Sequence, residues 1–307
     1  PPAAGQESVD DLSAPRGRAT ESTTIGFSNV YPDEGFVSDI EEGAREAAAA
    51  AGVELLVETA WGSAGTQESQ VAAFIEQGVD AIIITPVDPD AIVASVEAAN
   101  VADIPILAVD RTANGGEVTS LIATDNEAAG WLAGEALFDL MGGSGRVVEI
   151  QGDMAVSSAS QRSEGFQAAL GSAPGIILAA QAPAYSDYGL AYRSTQQALD
   201  EDPDIGGVFA SNLDMLYGAV EGVAAANRQG QVRVVGFDVD PVILDMVRDG
   251  SIDATMAQQP RLMGQKAVEA AIAATTGVSV EAFIPVDAII VTAEDLDRFL
   301  ASEEVTA

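Results

Sequence analysis

The chain has no cysteine and no histidine. Disulfide frameworks, thiol nucleophiles, Ser-His triads and most zinc, copper or iron sites go with them, because the side chains that build such sites are missing. Positive charge is nearly as scarce: thirteen basic side chains, of which Lys266 is the only lysine, face 48 acids and leave a net charge of -35. A polyanion needs a basic face, so this balance argues against nucleic acid and against acidic membrane surfaces as partners. The skew itself reads as genome composition or a saline habitat rather than as chemistry. Aromatic residues are only 5% of the chain, too few for an aromatic-rich all-β core. Long hydrophobic runs are missing too: none approaches the roughly 20 residues of a membrane-spanning helix, and there is no signal-peptide pattern.

What remains is alanine-rich and globular, with enough apolar residues in 307 positions for two cores of ordinary size. Residues 1–22, PPAAGQESVDDLSAPRGRATES, carry few large aliphatics and read as a disordered tether, which fits an anchor or leader segment upstream. From about Thr23, strand and helix patterns alternate without a break. Strands are predicted at 25–28, 53–59, 79–85 and 104–109, with helices at 36–51, 67–77 and 89–100 between them. Gly52 is placed to stop the first helix. The pattern restarts after 124: helices at 127–141, 158–170, 187–200, 214–227, 240–248 and 260–276 alternate with strands at 147–151, 176–180, 207–210, 232–236, 252–257 and 288–292. A short helix at 294–300 comes last. Such alternation predicts α/β architecture, two lobes of parallel sheet covered by helices, with a cleft between them.

The stretch IPILAVDRTANGGEVTSLIATDN, 104–126, organises this reading. A short aliphatic run ends abruptly in Asp110 and Arg111, at the strand edge where open parallel sheets bind ligands. An acceptor-only group beside a five-donor fork suits a polyhydroxyl ligand. After a Gly115-Gly116 turn a second apolar run ends in Asp125-Asn126, and the chain crosses to the second lobe. Other strand ends offer Ser28, Asn29 and Trp61 in the first lobe, and Gln151, Tyr185, Asn212, Phe237, Asp238, Gln258 and Gln259 in the second. Amides, carboxylates, a guanidinium and aromatic faces are what a neutral sugar or polyol requires. The bland alternative, that Asp, Asn and Gly merely end strands and cap helices, holds about evenly for any single position.

The strings IGFSNVYPDEGF (25–36), GVDAIIITPVDPDAI (78–92), IPILAVDR (104–111), ATDN (123–126), VVEIQG (147–152), QRSEGF (161–166), VFASN (208–212), VVGFD (234–238) and ATMAQQP (254–260) resemble, in order, the periplasmic sugar-binding proteins of ABC importers, of the ribose-binding type. The resemblance implies the type I periplasmic binding protein fold, two Rossmann-like lobes joined by three hinge strands. The lobes would be 23–124 with 259–287, and 125–258 with 288–307. It also implies ligand contacts at Asp110 and Arg111 from the first lobe and at Arg162, Asn212, Phe237, Asp238 and Gln258 from the second, with Phe36 and Tyr185 as rings on the sugar; Phe36 and Phe237 are expected to cover its apolar faces. Ser28, Asn29 and Glu34 fall in a divergent loop. Ribose binders carry two adjacent aromatics where this chain has Phe36 then Val37, so the identity of the sugar does not carry over. The expectation is a monomeric, non-catalytic protein without cofactor, periplasmic or extracellular and lipid-anchored at its tether, that delivers a small neutral monosaccharide or polyol to an ABC transporter permease.

Two rivals stand beside it. GFDVDPV at 236–242 matches the aspartyl-nucleophile motif of haloacid-dehalogenase-type phosphatases, with Asp238 as nucleophile and Asp240 as acid and base, yet that chemistry needs a phosphate-balancing cation and the only lysine lies mid-helix. The effector domain of a sugar-responsive regulator shares the fold, but needs a helix-turn-helix where this chain has a Pro/Ser-rich tail. Gly142 to Gly145 precede a strand and read as a turn, not a nucleotide fingerprint. The charge balance also makes a prediction. Self-repulsion should be screened by added monovalent salt, so the melting temperature rises with ionic strength while affinity for a neutral ligand barely changes. Affinity that collapses with salt in a calorimetric titration would mean a charged ligand instead.

Overall fold

The computed structural model of the chain describes residues 23–31 and 35–306, with 302–306 by backbone alone. The segment 1–22, expected to be a tether, and Glu34 lie outside the described residues. In chain order come β1 (Thr24–Asn29), α1 (Phe36–Ala51), β2 (Glu54–Thr59), α2 (Ala64–Gln77), β3 (Ala81–Ile84), α3 (Val93–Val101), β4 (Ile106–Val109) and β5 (Ser120–Thr124). Next are α4 (Asn126–Leu140), β6 (Gly145–Gln151), α5 (Ser157–Ser172), β7 (Ile176–Pro183), α6 (Tyr188–Glu201), β8 (Ile205–Ala210), α7 (Leu213–Ala225), β9 (Arg233–Phe237), α8 (Pro241–Asp249) and β10 (Ala254–Ala257). The chain closes with α9 (Pro260–Thr275), β11 (Phe283–Val286), β12 (Ile289–Thr292) and α10 (Leu296–Thr306).

These strands form two six-stranded sheets, ordered β11-β5-β4-β3-β1-β2 and β12-β10-β9-β8-β6-β7. The aliphatic runs AIII of β3 and ILAV of β4 are buried along their whole length, as strands covered on both faces must be. Each sheet accordingly has an apolar layer on either side, around Phe27 and Phe74 in the first and around Leu216 and Phe209 in the second. Helix ends follow local chemistry. Ser63, Asp187 and Asp240 accept the N–H groups of Thr66, Leu190 and Ile243 at the starts of α2, α6 and α8, and Gly52 closes α1 in the left-handed conformation at φ 69°.

Several elements depart from the sequence pattern. Helix α3 starts at Val93 rather than near Pro89, because the Asp88 carboxylate accepts the N–H groups of Asp90 and Ala91 and holds that segment as a turn. Strand β11 is not predicted at all, since Pro285 sits within it. It pairs with β5 alone at the sheet's edge, where a missing N–H can be tolerated. Strand β12 lies antiparallel to β10, so the second sheet is not purely parallel.

Among the described residues the chain passes between the sheets three times: from β5 to α4, from β10 to α9, and from β11 to β12. The crossings bond to one another. Asp125 N–H donates to the Val286 carbonyl (3.0 Å), the Thr124 hydroxyl to Gln258 Oε1 (2.6 Å), and Gln259 Nε2 to the Asp287 carbonyl (2.7 Å).

Glycine pairs set the tightest helix contacts. A Cβ on Gly43 of α1 would strike the Arg261 carbonyl of α9, and one on Gly264 the Ile40 carbonyl. Gly130 of α4 and Gly165 of α5 meet the carbonyls of Arg162 and Glu127 in the same reciprocal way. Replacement of Gly264 or Gly165 by valine should therefore destabilise by at least about 1–3 kcal/mol, the usual cost of overpacking. Gly171→Ala, with open space around the added methyl, should instead hold or gain up to about 1 kcal/mol. Urea unfolding midpoints of the three variants check this.

Candidate functional site

The carboxyl ends of β4 and β9 carry the same backbone device. Asp110 follows β4 at φ 69° and Asp238 follows β9 at φ 71°, and each N–H donates at 2.9 Å to a carbonyl of the next strand, Ile122 and Met256 respectively. Left-handed backbone is strained for most side chains but tolerated by aspartate, so both carboxylates are turned out of their strand lines at the sheet edges that face each other. Asp110 is joined by Arg111, whose Nε lies 3.3 Å from its Oδ2; the two side chains are 24% and 46% exposed.

Arg162 of α5 is the buried charge of the site, 6% exposed. Its Nε donates to Asn126 Oδ1 (2.8 Å), its Nη1 donates to the Ser211 carbonyl (2.8 Å), and Nη1 also lies 4.0 Å from Asp238 Oδ2. Its guanidinium carbon lies 4.0 Å from the Phe237 ring centroid, a cation-π contact strengthened by desolvation. Burial lowers the guanidinium pKa, against the pull of Asp238 and Asp110, and leaves it charged. Burial likewise raises the Asp110 carboxyl above its ordinary value; Arg111 and then Arg162 oppose the shift and Asp238 adds to it. Four charged groups from two lobes thus share one field, two carboxylates against two guanidiniums.

Gln258, in the second crossing, ties the lobes at the same place. Its Nε2 donates to Asp238 Oδ1 (2.6 Å) while its Oε1 accepts from Thr124 (2.6 Å). Asp238 Oδ2 accepts the Leu213 N–H at 3.2 Å. Phe36, first residue of α1, lines a cavity of about 510 Å³ with Asp238, Leu213, Gln258 and Phe299. A second cavity, about 370 Å³, is lined by Asp110, Thr112, Thr124, Asn126, Ser157 and Gln161.

Other predicted residues are placed differently. Phe237 is 0% exposed and its ring is taken up by Arg162, so it supports a charge instead of covering a ligand; this corrects the expected stacking role. Asn212 caps α7 by accepting the Met215 N–H (2.9 Å), which leaves its amide nitrogen for other partners. Ser28 and Asn29 are fully buried and bonded within the first lobe, to Gln70 Oε1 and Glu41 Oε2, and Gln151 donates to Ser163. Tyr185 and Trp61 are 60% and 70% exposed on the loops after the edge strands β7 and β2, both at positive φ. The residues missed from sequence are Thr124 and Asn126. The quoted ATDN string contained both, but only their partners identify them.

The phosphatase motif is dismantled by its own bonds. Asp240 accepts from Tyr217 and from the Ile243 N–H as the cap of α8, and Lys266 Nζ donates to the Pro285 carbonyl in the other lobe, away from Asp238.

A family model described as "Periplasmic binding protein domain" matches residues 25–278. The ribose import binding protein RbsB of Escherichia coli is 36% identical over 252 residues, 82% of this chain and 84% of that protein. A xylitol-binding protein of Mycolicibacterium smegmatis is 32% identical over 78% of this chain and 68% of its own length. Among solved structures, an ABC transporter solute-binding protein from Mycobacterium smegmatis with bound glycerol superposes with a TM-score of 0.74 at 33% identity, covering 91% and 96% of the two chains. One from Bacillus halodurans with bound myo-inositol gives 0.77 at 28%, covering 92% and 99%. With its two six-stranded α/β sheets and this match over most of its length, the chain belongs to the periplasmic binding protein family.

Proposed function

We propose that the protein captures a small neutral sugar or polyol between its lobes and delivers it to an ABC transporter permease, without catalysis. The observation that carries this is the convergence of Asp110 and Arg111 from one lobe with Arg162, Asp238 and Gln258 from the other and from the crossing beside it. Two carboxylates balanced by two guanidiniums suit a ligand rich in hydroxyls and without net charge, since each hydroxyl both donates and accepts. The names of similar proteins, which cite ribose, xylitol, glycerol and myo-inositol, support the same ligand class.

The roles divide as follows. Asp110, Arg111, Arg162, Asp238 and Gln258 bond the hydroxyls, Asn212 adds an amide donor, and Phe36 covers an apolar face. Tyr185 closes over the ligand from the rim. Phe237 acts through Arg162. The moving bodies are 23–124 with 259–287, and 125–258 with 288–307, so that a ligand touching both stabilises the closed state by its differential affinity. The protein works as a monomer in the periplasm or at the outer cell surface, tethered through its first 22 residues.

A thermal-shift screen against pentoses, hexoses, deoxysugars, inositols and linear polyols tests the reading; a ligand at 100 times its Kd adds about 2.7 kcal/mol of stability. No stabilisation by any of them would overturn it.

Asp110→Ala should weaken the best ligand by at least on the order of a hundredfold, the loss of two bonds to a charged acceptor at roughly 1.5 kcal/mol or more each, while the solvent-facing Glu76→Ala leaves affinity alone. Stability should respond in the opposite sense. A carboxyl whose folded pKa is raised holds its proton more tightly folded than unfolded, so its contribution falls as pH rises through that pKa. The ligand-free variant should lose no stability at neutral pH, and its standing relative to wild type should be better at pH 7 than at pH 4 in urea titrations.

A further inference from the structure

We infer that Thr124 is a positioning residue for the cleft: from the first lobe it sets the orientation of both charged groups that the second lobe presents, Asp238 through Gln258 and Arg162 through Asn126. The inference rests on the carbohydrate-binding reading above for its affinity arm alone. Thr124 is the last residue of β5, 3% exposed, and is held in register opposite Val286 at the sheet's edge. Two paths leave it. Its hydroxyl donates to Gln258 Oε1 (2.6 Å), and Gln258 Nε2 donates to Asp238 Oδ1 (2.6 Å). Its carbonyl accepts from Asn126 Nδ2 (3.0 Å), and Asn126 Oδ1 accepts from Arg162 Nε (2.8 Å).

The direction of each path is fixed by chemistry. A carboxylate oxygen accepts, so the Gln258 amide must turn its nitrogen to Asp238 and its oxygen away. That oxygen then needs a donor, and the Thr124 hydroxyl is the group facing it. On the other path a guanidinium can only donate, so Asn126 must present its oxygen to Arg162 and its nitrogen to the Thr124 carbonyl. A flip of the Asn126 amide would set donor against donor at Arg162 and oxygen against oxygen at Thr124; a flip of the Gln258 amide would set its oxygen against the Asp238 carboxylate, even though the Thr124 hydroxyl could accept from the nitrogen. The backbone of Asp238 is secured separately, by the Thr255 hydroxyl donating to its carbonyl at 2.7 Å, so the Gln258 bond governs the carboxylate and not the strand. The Thr124 hydroxyl therefore acts at a distance, through one amide, on the group that meets the ligand.

Thr124→Val keeps the branched shape and removes the donor; Thr124→Ser keeps the donor, and Thr124→Ala replaces the valine variant should that one not fold. Kd for whichever of ribose, xylitol and myo-inositol binds is expected to rise about tenfold in Thr124→Val and to return to within about twofold in Thr124→Ser, the scale of one hydrogen bond. Gln258→Leu should weaken binding on its own, and Thr124→Val added to it should cost nothing further, because the two act in one path. In the ligand-free protein, the Gln258 side-chain amide protons, followed by NMR, should exchange slowly in wild type and Thr124→Ser and fast in Thr124→Val. Wild-type affinity in Thr124→Val, additive losses in the double variant, or equal amide exchange in wild type and Thr124→Val would each overturn the assignment. If neither these three compounds nor any other member of the carbohydrate screen binds but the exchange pattern holds, the carbohydrate reading fails and the positioning path stands.

Discussion

The site depends on keeping one guanidinium charged while it is almost wholly buried. An isolated charge in that place would cost several kcal/mol, so Arg162 requires partners on every side. It finds an amide oxygen on Asn126, a carbonyl on Ser211, the Asp238 carboxylate and the face of Phe237. These come from α4, from the loop after β8 and from the end of β9, which explains why so much of the second lobe converges there. The first step in that convergence is a missing side chain. Gly130 lets α4 approach the backbone of α5 at Arg162 itself, and without that contact the guanidinium could not reach Asn126 in the same geometry.

The two lobes repeat the same solutions. Asp110 and Asp238 turn out of β4 and β9 with nearly equal positive φ, and Trp61 and Tyr185 do so after β2 and β7. The N–H of Ala60 donates to Asn29 and that of Ala184 to Gln151, each at 2.7 Å. Reciprocal glycine pairs lock α1 to α9 and α4 to α5. Each sheet is thereby packed closely against its helices, and among the described residues the crossings are bonded to one another.

How far the sequence leads can be seen in particular residues. The runs at 81–84 and 106–109 could be read as buried strands because their composition leaves no other use for them. The strand end at Asp110 was legible because charge follows such a run so abruptly. Phe237 was misread: an aromatic before a strand-end aspartate can face the ligand or the core, and alternation places it under Arg162. Ser28 and Asn29 look the same in sequence as residues offered to a cleft, yet side chains of α1 and α2 claim them first. Strand β11 stayed hidden because an edge position, which sequence does not display, is what makes Pro285 acceptable.

Local chemistry written along the chain therefore determined the alternation of strands and helices, their caps, the absence of thiol and imidazole side chains, and the charged pair at one strand end. Those properties depend on neighbours a few residues away. Tertiary structure alone decided which polar groups are spent inside a lobe and which face across the cleft, since that depends on partners such as Thr124 and Gln258, 134 positions apart. It also decided the sense in which each amide points. Hydrogen bonds at both ends of a side chain set that direction, and the sequence holds no record of either end.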